Sequence, residues 1–158
     1  MKIGITGHQN LIDNSTSTWV YKSIANFIEE IGDEVMGLSS IAIGADQIFC
    51  QVLIDMSLPY HVIIPCQNYR ELFEDKANYD KYINSSDKRI VLDYAEDSQQ
   101  AFFDAGKVIV NSCDLVVAVW NGKSAKGLGG TGDVVNYARS INRPVYHINI
   151  VEKYALYL

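Results

Sequence analysis

At 158 residues, with 13 Lys and Arg against 19 Asp and Glu, the chain carries a formal charge of −6 and a pI near 4.9. That balance repels a polyanion, so no polymeric nucleic acid is expected as a partner, whereas a small phosphorylated ligand needs only a few N–H donors and stays allowed. The length suits a single domain over residues 1–158, no apolar run approaches the roughly 18 residues of a membrane span, and Met1 leads directly into a strand, so a soluble cytoplasmic protein is expected.

Lys2 to Thr6 (KIGIT) reads as a first strand that ends in the turn-prone Gly7-His8-Gln9-Asn10. Asn14, Ser15 or Ser17 then caps a helix whose apolar positions Val20, Ile24, Phe27, Ile28 and Ile31 follow a 3.6-residue period, and Gly32 ends it. A second short strand within Leu38 to Ile43 opens into Gly44-Ala45-Asp46-Gln47. Behind it Ile48, Val52, Leu53 and Met56 mark a helix closed by Ser57-Leu58-Pro59. Tyr60 to Ile64 is a third strand, stopped by Pro65.

The middle, Gln67 to Asp97, is polar and tyrosine-rich, with a short helix around Tyr69 to Asp75 and a weak strand around Arg89 to Leu92; it forms either short helices or a cover over a site. Ser98 to Asn111 is helical, with Phe102, Ala105, Ile109 and Cys113 spaced to share one face. Leu115 to Val119 is a buried strand that empties into a glycine-rich loop. A helix from Thr131 to Ile141 follows, with Val134, Ala138 and Ile141 inward, and after Pro144 comes a last strand, Val145 to Ile150. The tail, Val151 to Leu158, is apolar enough to pack on the body or on another copy, which makes a homo-oligomer the expected state. Strands alternating with helices predict an α/β fold, Rossmann-like and three-layered, with a mainly parallel sheet and helices on both faces.

In such a sheet three glycine-bearing loops reach one carboxyl edge: Gly7-His8-Gln9, Gly44-Ala45-Asp46 and the loop from Trp120 to Asp133. The glycine loop followed by a helix start is the strongest signal, because glycines let backbone approach an anion and the free N–H groups of the helix end attract it. Gly127 to Gly132 matches GxGxxG, but the polar residues Asn121 to Lys126 replace the tight turn that pattern requires, and only one strand follows. Gly122-Lys123-Ser124 fails as a Walker loop, since the first glycine would fall at Val117. Each candidate has a plainer role beside the functional one. His8 is a turn residue, a phosphate or ribose contact, or an acid–base group, Asp46 a helix cap or a ribose acceptor, and Trp120 core or a base-stacking surface. Asp133 stabilises the helix dipole, contacts ribose, or as a catalytic carboxylate stabilises charge developing at a sugar carbon. Cys50, Cys66 and Cys113 stand singly and read as buried thiols, so neither a metal nor a cofactor is expected.

These residues resemble the SLOG superfamily, the Rossmann-like nucleotide-binding proteins that include the DNA-processing protein A and the lonely-guy phosphoribohydrolases. The likeness is to small stand-alone members whose first strand ends in a TGHR-type motif and whose last helix begins GGT. The counterparts are Thr6-Gly7-His8-Gln9, Ile43-Gly44-Ala45-Asp46, and Asp114 through Trp120-Asn121-Gly122 to Gly129-Gly130-Thr131-Gly132-Asp133. The resemblance implies a phosphate held by Gly129, Gly130, Thr131 and Gly132, with Gly7, Gly44 and Gly122 permitting close approach and His8, Gln9, Asp46, Trp120 and Asp133 around the ligand. Gln9 stands where the family carries arginine. In the lonely-guy motif GGxGTxxE, Leu128 falls on the second glycine and Val134 on the catalytic glutamate, with Asp133 one residue early, so N-glycosidic hydrolysis does not carry over directly. The family also implies a second role, sensing nucleotide signals such as cyclic ADP-ribose-type molecules.

Overall fold

A strand buried on both faces reads as a continuous apolar run, and Leu115–Trp120 is one; it lies beside Lys2–Gly7 (β1), whose Ile3, Gly4 and Ile5 are buried, at the centre of one sheet. The computed structural model describes residues 1–32, 34–124 and 127–158. After β1 the chain forms α1 (Asn14–Ile31), β2 (Met36–Ser39), α2 (Ala45–Asp55), β3 (Tyr60–Ile64), a 3₁₀ turn (Tyr69–Leu72), α3 (Lys76–Asn84) and β4 (Lys88–Val91). It continues through α4 (Gln99–Ser112), β5 (Leu115–Trp120), α5 (Thr131–Ser140), β6 (Val145–Asn149) and β7 (Tyr154–Tyr157). The strand order is β4-β3-β2-β1-β5-β6-β7, parallel except for β7. The fold is therefore a three-layer α/β Rossmann-like arrangement.

Side chains of a strand alternate between faces, and β5 divides accordingly. Val117 and Val119 join Ile3 and Ile5 under α1 and α2, meeting Val20, Ile24, Phe49 and Leu53. Val116 and Ala118 face the other layer, where α4 and α5 supply Ala105, Ile109, Val134 and Ala138. Complete burial of such Val and Ile side chains contributes roughly 1.5–3 kcal/mol each, which is why the sheet centre is the most rigid support available to a site.

Several expected boundaries move. The cap of α1 is Asp13, whose extended backbone lets its carboxylate accept the Thr16 N–H at 2.7 Å; Gly32 ends the helix with φ 102°. The second strand is Met36–Ser39, not the SSIAI run that follows, because Ser39 Oγ accepts the Ile41 N–H (2.9 Å) and Asp46 accepts that of Ser40 (3.1 Å), turning the chain away from the sheet. On α4 the buried row is Ala101, Ala105, Ile109 and Cys113, and Phe102 stands one position off it, 37% exposed. Ile141 is 39% exposed rather than inward, since α5 stops at Ser140 and Ile141 leaves the helical path. The tail packs on the body: β7 pairs antiparallel with β6, and Tyr157 lies edge-on to Tyr146 with ring centroids 5.2 Å apart.

Candidate functional site

From β1 the chain steps outward through β2, β3 and β4, then crosses back to lay β5 against the other side of β1. The connections leaving β1 and β5 therefore diverge, one to α1 and one to α5 on the opposite layer. A crevice opens where they part, as expected at the point where strand order reverses. It is a cleft of about 1490 Å³ at the carboxyl ends of the strands. Among the predicted site residues Gly7, His8, Gln9, Asp46, Trp120, Gly129, Gly130, Thr131 and Gly132 line it together. Gly44, Gly122 and Asp133 lie beside it rather than on its lining.

The β1 end is built from backbone. The His8 N–H donates to Val119 O (2.9 Å), tying β1 to β5, and His8 O accepts the Ala45 N–H (3.1 Å), tying it to α2. Gly44 is required by this junction. Its φ is 86°, and a Cβ there would stand 2.3 Å from Gln9 O and 2.6 Å from His8 O. Its close approach is thus to the neighbouring loop.

The β5 end is a set of turns. Asn121 Oδ1 accepts the Lys123 N–H (3.0 Å), and the Trp120 indole N–H donates to Lys123 O (2.7 Å), which holds Lys123 at the cleft wall. The Trp120 ring leans on His147, centroids 5.2 Å apart. Gly122, with φ 79°, faces Asn149 and His147. The expected loop includes residues 125 and 126, which lie outside the described residues.

Helix α5 begins at Thr131, and its N-cap, Gly130, supplies no side-chain hydrogen bond. Among the described residues the N–H groups of Thr131 and Gly132 have no hydrogen-bond partner, so the open donors and the positive end of the helix dipole face the cleft. Asp133 does not compete for them. Its carboxylate Oδ2 accepts the Gly129 N–H (3.0 Å), strapping the glycine turn to the helix. Gly129, with φ 88°, would with a Cβ meet Gln99 O at 2.8 Å and Phe103 N at 3.1 Å, so this turn also packs directly on the first turn of α4.

Opposite lies a carboxyl group in an apolar setting. Asp46 is only 6% exposed, and its Oδ2 accepts from Ser39 Oγ (3.2 Å) and the Ser40 N–H (3.1 Å). Burial disfavours the charged form more than these donors favour it, and the pKa is raised from 3.8 to about 7. Beyond it stands an aromatic wall that sequence reading did not single out: Tyr69 packs on Phe73 (5.1 Å, 84°) and lies 6.4 Å from Phe102. Burial pushes the Tyr69 hydroxyl pKa well above its ordinary value, so it stays neutral. Glu74 and Asp75 complete that side. The clue to this wall was the tyrosine-rich segment after β3. Placing Phe102 on the buried row of α4 concealed its most exposed ring.

No protein-family model matches the chain, and no curated protein matches it in sequence. Solved structures do match in shape. The chain is similar to DNA processing protein A from Streptococcus pneumoniae, with TM-score 0.69 and 18% identity over 92% of this chain and 49% of that one. It is likewise similar to DNA processing protein A from Helicobacter pylori, with TM-score 0.65 and 14% identity over 93% of this chain and 64% of that one. A third match is the molybdenum cofactor carrier protein from Chlamydomonas reinhardtii, with TM-score 0.56 and 15% identity over 92% of this chain and 74% of that one. The chain spans about half to just under two thirds of the length of the two DNA processing proteins. At these identities the likeness is one of fold. The chain shares the Rossmann-like α/β fold of these structures.

Proposed function

We propose that the protein binds a nucleotide or nucleotide-derived ligand in this cleft and acts as a sensor or sequestering protein, with cyclic ADP-ribose-type signals among the candidates. The observation that carries the reading is the uncapped start of α5, whose free N–H groups open onto a cleft at the strand-order reversal. The H. pylori neighbour is described as binding single-stranded DNA and the C. reinhardtii neighbour as carrying the molybdenum cofactor. For this chain the net charge of −6 favours a small ligand over a polymer, as does a lining in which Asp46, Glu74 and Asp75 outnumber Lys123 among the described charged residues.

A second reading, cleavage of a nucleoside 5′-monophosphate to base and ribose 5-phosphate, is favoured by a different observation. A buried carboxyl group with its pKa at about 7 lines the cleft and can exchange a proton near neutral pH. That group is Asp46, whereas the carboxylate of Asp133 is engaged with Gly129. Binding is the preferred reading, because Val134 stands where the lonely-guy enzymes carry their catalytic glutamate, and Asp133, one residue early, lies off the cleft lining and holds the Gly129 N–H.

A thermal-shift screen of nucleotides and cyclic ADP-ribose-type ligands, followed by chromatography of the incubated hits, tests both. A hit recovered intact supports binding, and one converted to free base supports cleavage, with loss of turnover in Asp46→Asn. The Gly130→Val variant should abolish the shift without unfolding the protein, since Gly130 has a φ of −70° that any residue adopts. If no ligand shifts the melting temperature, the nucleotide reading is wrong.

A further inference from the structure

We propose that Phe102 is the surface on which the heterocycle of the ligand stacks, an inference that rests on the nucleotide reading above. The sequence points instead to Trp120, the larger ring at the cleft. Its indole N–H, however, is committed to Lys123 O at 2.7 Å, and its ring is packed against His147. Phe102 is the aromatic lining residue with an open ring, at 37% exposed, on the cleft wall of α4.

The setting of Phe102 is rigid. Its ring lies 6.4 Å from Tyr69 at 58°, and Tyr69 is clasped by Phe73 at 5.1 Å and by Tyr79 at 6.0 Å. Each of those three backing rings is less than a tenth exposed, so the cluster presents one phenyl group to the cleft and buries the rest. A preorganised apolar ring loses little freedom when a flat ligand covers it.

Its position fits the proposed phosphate cradle. A Cβ on Gly129 would stand 2.8 Å from Gln99 O and 3.3 Å from Phe103 Cβ, so the glycine turn touches the turn of α4 that carries Phe102. Anion donors and stacking surface are thus borne by two segments in contact, and one ligand with a phosphate at one end and an aromatic base at the other satisfies both. A phenyl ring carries no hydrogen-bonding group. It therefore adds affinity for any base, more for the larger face of a purine, and leaves the choice among bases to polar neighbours.

The test compares Phe102→Ala, Phe102→Trp and wild type by calorimetric titration with adenosine, guanosine, cytidine and uridine 5′-monophosphates and with ribose 5-phosphate, which has the phosphate but no base. Stacking predicts that Phe102→Ala weakens the nucleotides roughly ten- to hundredfold, leaves ribose 5-phosphate within about twofold, and is rescued by Phe102→Trp. Unchanged nucleotide affinity in Phe102→Ala overturns the stacking role while leaving the nucleotide reading intact. An equal loss for ribose 5-phosphate also overturns it, because the ring would then be supporting the wall. If wild type binds none of these probes, the nucleotide reading fails and the stacking role fails with it.

Discussion

Replacing Asp46 with asparagine should remove a pH-dependent part of the protein's stability. The folded state holds this carboxyl with a pKa of about 7, against 3.8 for the ordinary group. A difference of about three units corresponds to about 4 kcal/mol, a large share of the roughly 5–15 kcal/mol that keeps a domain folded. The folded-state pKa is the higher one, so the contribution is fully present below about pH 4 and is lost as pH rises through about 7. Asparagine keeps an oxygen to accept from Ser39 Oγ and the Ser40 N–H and has no proton to lose. Urea unfolding of both proteins between pH 5 and pH 8 should show the variant gaining on wild type by roughly 3 kcal/mol across that range. Asp13, Asp55, Asp80 and Asp104 have lowered pKa values and tilt stability the other way, but they do so in both proteins and cancel in the difference. A difference that stays constant with pH would show that Asp46 ionises like an exposed carboxylate, and the account of its burial would be wrong.

Gly44→Ala forces a Cβ against two backbone oxygens at a φ of 86°; it should cost on the order of 2–5 kcal/mol, and thermal melting within about 2 °C of wild type would contradict that geometry. Asp133→Ala frees the Gly129 N–H, so the glycine turn should loosen, with stability falling by about 1–2 kcal/mol in urea unfolding and the affinity of any phosphate ligand falling modestly. Turnover, if present, should survive that change. The exposed β7 residues Tyr154 (40%), Leu156 (44%) and Tyr157 (60%) lead us to expect a concentration-dependent oligomer by light scattering, weakened in Leu156→Lys; a monomer at every concentration would remove that expectation.

The strands and long helices were legible because their apolar periods are strong. Val20, Ile24, Phe27 and Ile28 on α1 all lie in the core, as their spacing predicts. The misreadings have local causes that periodicity does not carry. The SSIAI run has strand composition, yet side-chain bonds from Ser39 and Asp46 capture its backbone. The cap of α1 is Asp13, ahead of Asn14, Ser15 and Ser17, since capping is decided by backbone angle as much as by residue type. At the site, the glycines signalled the cleft, whereas the aromatic wall comes from residues whose spacing matches ordinary core. Phe102 is separated from burial by a single step of 100° around its helix. Asp133 was legible as a first-turn carboxylate, but its bond to Gly129 depends on how the turn folds back, which no spacing rule specifies.

The pairing of β1 with β5 places the floor of the cleft at a junction that is distant along the chain. Lys2 and Asp114, joined at its lower end by a hydrogen bond, are 112 residues apart. Contacts of such long sequence separation must be preceded by closure of the whole intervening chain, and they slow folding accordingly. During synthesis β1 can pair with β2 early, but its other edge stays open until β5 has emerged, and the α5 end of the cleft follows later still. A ligand spanning both walls would find no partial version of its site. It would bind only chains that have closed this loop, and so would draw the folding equilibrium toward the finished sheet by mass action.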